Sequence, residues 1–211
     1  MNSRNYFDQI APQWNSMRQK YFNQDIRPIL FERINFKNKT VIDLGAGTGY
    51  LSLALAKYAK LVFAIDQSQN MLDQIRQKAT HQNLSNVFTI ISDVNTIAFQ
   101  SHQIDIVTMN MALHHMIEPS SIIKEMHRLL KDNGQIVISD VMKHQGEWAK
   151  EEMHDVWLGF SKNQIEQWLT YNGFIEIDFI ETNYQAIATS HNGEIINPNI
   201  FIVIAKKGNL V

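Results

Sequence analysis

The stretch VIDLGAGTG, residues 41–49, decides the fold. Val41, Ile42 and Leu44 are apolar positions of a short buried strand, and the chain then runs directly into Gly45, Gly47 and Gly49. A strand that breaks into a glycine-rich turn before a helical segment is the opening unit of a nucleotide- or nucleoside-binding α/β sheet. The spacing is not that of a dinucleotide fingerprint, G-x-G-x-x-G, because the position of its third glycine is Tyr50. Asp43 lies two residues before the first glycine. A pyrophosphate would resist that like charge, whereas a ligand ammonium group would be favoured by it, directly or through water.

Outward from this unit, apolar and β-branched runs recur at 61–65, 87–91, 104–109 and 135–139, each a strand by length and composition. Helical periodicity fills the intervals. After Ser68, a plausible cap, Met71, Leu72, Ile75 and Ala79 share one face. From Pro119, Ile122, Ile123, Met126, Leu129 and Leu130 do the same, with Asn133-Gly134 expected to end that helix. Strands alternating with helices imply right-handed crossovers and a parallel sheet covered on both faces. The rhythm then changes. Ser161-Lys162-Asn163-Gln164 reads as a capping box opening a helix that Gly173 ends, and strands 174–181 and 199–206 follow as an antiparallel hairpin with a long loop. The expected fold is a Rossmann-like, doubly wound, mostly parallel sheet of seven strands.

Strand ends also carry the polar candidates. Asp66 ends the second strand about twenty residues beyond the loop, where a carboxylate can accept from both hydroxyls of a ribose. Asp93 and Val94 follow the third strand, placed to bind and cover an adenine, and Asn110 ends the fourth. Ala46, Gln67 and Met71 flank these points and join the candidate contacts. Tyr6 and Trp14, from the helical stretch before the first strand, are candidates to close over a bound cation or, equally, to anchor the first helix to the core.

Composition bounds the rest. The 211 residues, 45% hydrophobic and 19% charged, suit one α/β domain with a full core. A net charge of −2 with scattered Lys and Arg disfavours a nucleic-acid partner. The absence of Cys removes disulfides, thiolate metal sites and a Cys nucleophile, and no metal ligand set is legible. With no signal-peptide pattern and no apolar run near the ~18 residues of a membrane span, a cytoplasmic protein without membrane insertion is expected. A homodimer is left open, since one chain does not reveal which apolar surface stays exposed.

Taken in order, VIDLGAGTG, AIDQS, SDVNTIAF, DIVTMNMALHHM and LLKDNGQIVISD resemble the class I S-adenosylmethionine-dependent methyltransferases. The resemblance implies S-adenosylmethionine as cofactor and S-adenosylhomocysteine as product. It places the glycine loop at the methionine part, Asp66 at the ribose and Asp93 at the adenine. The flanks YFDQIAPQWNSM and HDVWLGFSKNQIEQWLTYNGF are similar to small-molecule methyltransferases of the quinone-biosynthesis and arsenic-repressor-associated kinds. Trp14-Asn15 departs from the Tyr-Asp pair of the quinone enzymes, which puts a quinone acceptor in doubt. The implied organisation is one methyltransferase domain over 1–211: an N-terminal helical cap at 1–34, a cofactor-binding core at 35–141, and an acceptor-side segment with the helix and hairpin at 142–211.

Methyl transfer from a sulfonium is an in-line displacement, and a general base is needed only where the acceptor must lose a proton. His114, His115 and His154 are the candidates, with His115 and His154 favoured. Trp148, Met153, Trp157 and Phe160 make the segment after the fifth strand aromatic, either as an acceptor wall or as ordinary core. The expected acceptor is a small molecule. Two other readings stay open: a nicotinamide-dependent oxidoreductase, and a non-catalytic S-adenosylmethionine-binding regulatory module.

Overall fold

The structure is a computed structural model that describes residues 3–22, 24–94 and 97–208; Asn95-Thr96 of the motif around Asp93, and positions 1, 2 and 23 of the expected cap, lie outside them. The strands are β1 (Thr40–Leu44), β2 (Leu61–Asp66), β3 (Val87–Ile91), β4 (Ile104–Asn110), β5 (Leu130–Val141), β6 (Phe174–Gln185), β7 (Ala188–Thr189), β8 (Ile195–Ile196) and β9 (Asn199–Lys207). The helices are α1 (Ser3–Ile10), α2 (Trp14–Tyr21), α3 (Arg27–Arg33), α4 (Ser52–Leu55), α5 (Gln69–His81), α6 (Pro119–Leu129), α7 (Trp148–Glu152) and α8 (Lys162–Tyr171).

Seven strands form one sheet in the order β3-β2-β1-β4-β5-β9-β6. The first five pair in parallel, and β9 enters antiparallel between β5 and β6. Successive residues of β1 serve opposite faces: Val41 packs with α3 and α4 beside Leu30 and Leu55, and Ile42 and Leu44 pack with α6 and α8. Burial on both faces is why β1 reads as a continuous apolar run, whereas β3, at the sheet edge, leaves Phe88 and Ile91 exposed. The chain reverses its direction of winding between β1 and β4, and the crevice at such a switch point is where this architecture binds ligands.

Local caps set the helices. The Ser68 side chain accepts from Met71 N–H at the start of α5, and Ser161 accepts from Gln164 N–H at the start of α8. Pro119 opens α6 where its missing N–H costs nothing. That helix ends at Leu129, not at Asn133-Gly134. Leu130 already pairs with Ile104, and Asn133, at φ 60°, sits in the irregular stretch before Gln135 joins Ile106. Sheet pairing overrode a glycine that looked like a helix stop. The β6–β9 connection, expected as a plain loop, contains the two-stranded β7–β8 pair. No helix among the described residues is long and apolar enough to cross a membrane.

Candidate active site

The carboxyl ends of β1 to β4 border a cavity of about 680 Å³ whose wall includes Gly45, Ala46, Gly47, Asp66, Gln67 and Met71. Asp93, Val94 and Asn110 line it further along, and Trp14, His115 and His154 complete the expected residues found there. Its size lies within the ~300–1,000 Å³ range of small-molecule sites.

The glycine loop is bound tightly to the strand ends. Ala46 N–H donates to Ile65 O at 3.0 Å, and Gly47 N–H donates to Asp66 Oδ2 at 2.8 Å. Ser68 N–H donates to Asp66 Oδ1 at 2.9 Å and Gln67 N–H also donates to this carboxylate, so backbone protons fix it at the strand end. Burial raises the Asp66 pKa against these bonds, which lower it. A Cβ on Gly45 would stand 2.6 Å from Ala112 Cβ, where β4 ends, so the loop approaches β4 as closely as a missing side chain allows.

Three expected contacts lie elsewhere. Asp43 is 2% exposed and behind the loop: Ser52 Oγ donates to Oδ2, and Thr108 Oγ1 donates to Oδ1 at 2.8 Å. Burial lifts its pKa to about 6. With both oxygens turned to internal hydroxyls, Asp43 braces β1 against α4 and β4 rather than facing a ligand. Gly49 also leaves the cavity wall, because the chain turns there toward α5 and a Cβ would meet Ile75 Cγ1 at 2.9 Å. Tyr6 packs its ring on His154 at 4.5 Å between centroids and on Phe7 at 5.2 Å, behind the wall rather than in it.

The N-terminal segment is fixed across the loop. Asp8 Oδ1 accepts from Ser68 Oγ at 2.6 Å and from Asn70 N–H at 3.2 Å, a carboxylate at the positive end of α5. Asn15 Oδ1 accepts from Thr48 Oγ1 at 2.7 Å and from Lys78 Nζ at 3.2 Å. Arg18, not singled out from sequence, lines the cavity with its guanidinium 3.3 Å from the centroid of the Tyr50 ring. Its spacing four residues after Trp14 in α2 was the available signal, since i and i+4 share a helix face. Tyr50 in turn donates its hydroxyl to Asp25 at 2.6 Å, and Asp25 pairs with Arg27. The residue standing where a dinucleotide loop needs glycine is therefore a bulky anchor for the segment leading into α3.

At the other end of the cavity, histidines and acids converge. His114 donates Nδ1–H to Asp140 Oδ1 at 2.6 Å, and Asp140 also accepts from Val141 N–H. Burial opposes the His114 charge, but Asp140 and Asp155 prevail and raise its pKa to about 9. His115 donates Nδ1–H to the carbonyl of His154 at 3.1 Å; burial first, and the neighbouring His114 charge second, hold its pKa well below the usual value. Asp155, which carries no local motif that would single it out, has its pKa raised to about 6 by burial, against the pull of His114. Met111 and His154, both on the wall, hold left-handed backbone angles of 50° and 60°, a strained conformation that clusters at functional sites. The aromatic segment divides: Phe160 is core and Trp157 donates its indole N–H to Met116 O, whereas Lys150, His154, Asp155 and Val156 face the cavity.

A family model described as a methyltransferase domain matches residues 35–194. The ubiquinone biosynthesis O-methyltransferase of Coxiella burnetii is 31% identical over 130 residues, 62% of this chain and 52% of that protein. The chain thus spans about half the length of such curated relatives. A solved SAM-dependent methyltransferase from Aquifex aeolicus has a TM-score of 0.70 at 21% identity, covering 94% of this chain and 97% of its own. Phosphoethanolamine N-methyltransferase 2 from Haemonchus contortus, solved with S-adenosyl-L-methionine, has a TM-score of 0.75 at 17% identity, covering 98% of this chain and 59% of its own. At these identities the solved structures show a shared fold.

Proposed function

Because the chain belongs to the methyltransferase domain family, of the class I S-adenosylmethionine-dependent kind, we propose that it transfers the methyl group of S-adenosylmethionine to a small-molecule acceptor. The observation that carries this reading is the pairing of Gly47 N–H with the Asp66 carboxylate at the cavity edge. It sets an acceptor for two ribose hydroxyls beside a loop with no side chain at the point of approach. A side chain on Gly47 would project toward Trp14, 3.7 Å from its indole nitrogen, and fill the space between loop and cap.

In this reading Asp66 accepts from the ribose, Asp93 and Val94 bind and cover the adenine, and Gln67 and Met71 bound the nucleoside. Gly45, Ala46 and Asn110 border the methionine part, and the Arg18 guanidinium pairs with its carboxylate. Trp14 closes over the loop. His115 and His154 stand at the acceptor end. S-adenosylmethionine supplies an already activated methyl group when bound, so the protein's contribution is chiefly alignment and exclusion of water. Orientation of this kind is worth about 7–11 kcal/mol where the reactants are held near attack geometry. Ile117 and Val156 on the wall, 76% and 43% exposed, favour an acceptor with an apolar portion.

The test is a calorimetric titration of the purified chain and of Asp66→Ala with S-adenosylmethionine, S-adenosylhomocysteine and NADH. Binding of the adenosyl ligands alone, weakened at least about tenfold in the variant, is expected; that ratio corresponds to about 1.4 kcal/mol. Binding of NADH alone would overturn the reading in favour of an oxidoreductase. An acceptor screen scored by S-adenosylhomocysteine formation then separates an enzyme from a binding module.

A further inference from the structure

Among the described residues, Asp155 Oδ1 is the buried side-chain polar atom with no hydrogen-bond partner. The side chain of Asp155 is 6% exposed, and those of its neighbours His114 and His115 are 9% and 11% exposed. Oδ1 lies 3.7 Å from His114 Nε2 and 3.6 Å from His115 Nδ1, too far for either to satisfy it. Leaving a buried carboxylate oxygen unpaired is costly, and native structures do so rarely and at sites with a purpose.

These distances suit a different bond. Tetrahedral ligation with metal–ligand lengths of about 2.0–2.2 Å separates ligand atoms by about 3.4 Å. One ligand atom from each of His114, His115 and Asp155 lies within 4.8 Å of the other two. His114 has its Nδ1–H committed to Asp140, the carboxylate–histidine arrangement that orients metal-binding imidazoles and leaves Nε2 as the ligand atom. Asp140 and Asp155 place two carboxylates beside this point and favour positive charge there. We propose that His114, His115 and Asp155 form a binding site for a divalent transition-metal ion such as Zn²⁺ at the acceptor end of the cavity.

Two imidazoles and one carboxylate are the donor set of catalytic rather than structural zinc sites, with a fourth position left for water or substrate. His115 and Asp155 line the cavity, so that position opens to the acceptor. Ligation exchanges protons in a defined way: His114 loses the Nε2 proton of its cationic form, and neutral His115 moves its proton from Nδ1 to Nε2. A hydroxyl acceptor on the ion would lose its proton more readily, the general effect of a Lewis acid on bound oxygen. The site does not depend on the cofactor reading.

The test uses the full chain, stripped with a chelator and titrated with Zn²⁺ against a chromophoric competitor, and separately with Co²⁺ to record its visible spectrum. The wild type should bind one equivalent, and Co²⁺ should show the intense absorption of a four-coordinate N/O site. Asp155→Asn and His114→Gln should each weaken Zn²⁺ binding at least tenfold with the circular dichroism retained. His191→Gln, on the surface beside Glu152, should not weaken it. Absence of stoichiometric binding, or equal binding by Asp155→Asn, would overturn the proposal; if both variants fail to fold, the wild-type Co²⁺ spectrum decides. Titrating S-adenosylhomocysteine into the same samples keeps the two readings apart, since a chain that binds zinc and not the adenosyl ligand retains this site and loses the other.

Discussion

Substituting Gly45 by Ala tests whether the loop's closeness to β4 is the constraint that builds the cofactor edge. Two costs fall on this position. Its φ of 65° is left-handed, which penalises an L-residue by about 1–2 kcal/mol. The new Cβ would lie 2.6 Å from Ala112 Cβ, and because neither is the far end of a flexible side chain, the backbone must move; overpacking of this sort costs about 1–3 kcal/mol. Together they predict a loss of about 2–5 kcal/mol, or about 4–20 °C in Tm for a chain of this size. Gly193 supplies the control: its φ is 85°, with nothing within 4 Å of an added Cβ, so Gly193→Ala should carry only the backbone cost. Thermal unfolding of both variants, with S-adenosylhomocysteine titration of each, separates the two contributions. Adding Ala112→Gly to Gly45→Ala should recover the steric part and leave the backbone part, a coupling that a double-mutant cycle reads directly. If Gly45→Ala is no less stable than Gly193→Ala and binds the ligand as tightly as wild type, the close approach does not matter and the argument for the loop fails.

Asp43 predicts a pH effect with a definite sign. Its folded pKa of about 6 exceeds the ordinary 3.8, so between these values the folded state binds more protons and stability falls as pH rises, by up to about 3 kcal/mol. Denaturant unfolding from pH 4 to 7 should show Asp43→Asn gaining on the wild type by that amount across the window; parallel curves would contradict it. Ser68→Ala removes the α5 cap and the Asp8 contact, and should cost about 1 kcal/mol in urea unfolding; an unchanged midpoint would refute that role. Arg18→Ala should weaken S-adenosylhomocysteine binding about tenfold or more by calorimetry, with adenosine affinity unaffected, since only the former carries the carboxylate that Arg18 is proposed to meet. Equal losses for both ligands would reassign Arg18 to holding Tyr50.

Legibility from sequence followed the range of the interactions. β1 was readable to the residue because burial on both faces demands an uninterrupted apolar run, and β3, an edge strand with Phe88 and Ile91 about half exposed, because its run is β-branched and aromatic. Ser68 and Ser161 were readable as caps because the bond closes within three residues. The end of α6 was not, because the Leu130–Ile104 pairing that stops it is a long-range choice. Asp66 could be put on the cavity wall from its position at a strand end, whereas the burial of Asp43 behind the loop was not legible, because the hydroxyls of Ser52 and Thr108 that meet it belong to two other elements. His114 and His115 were legible as candidates, but their convergence with Asp140 and Asp155 was not, as these acids come from β5 and from the segment after α7.

The N-terminal segment ties the two ends of the cavity together. Through Asp8 and Asn15 it is bonded to Ser68, Asn70 and Thr48, on the glycine-loop side of the cavity. The Phe7 ring meets His115 edge-on at 5.0 Å, and Tyr6 covers His154, both at the histidine end. Yet this segment is lightly held: α2 buries no residue outright, and Ile10, Ala11 and Met71 form a small cluster of their own rather than part of either main core. Segments with few buried apolar contacts open at lower cost than the sheet they cover. Amide exchange should therefore be faster in α1 and α2 than in β1 and β4, and equal protection of all four would refute the light hold. Because Trp14 and Arg18 on one side and the rings beside His115 and His154 on the other belong to the same two helices, S-adenosylhomocysteine should slow exchange in both α1 and α2; slowing confined to α2 would refute the link.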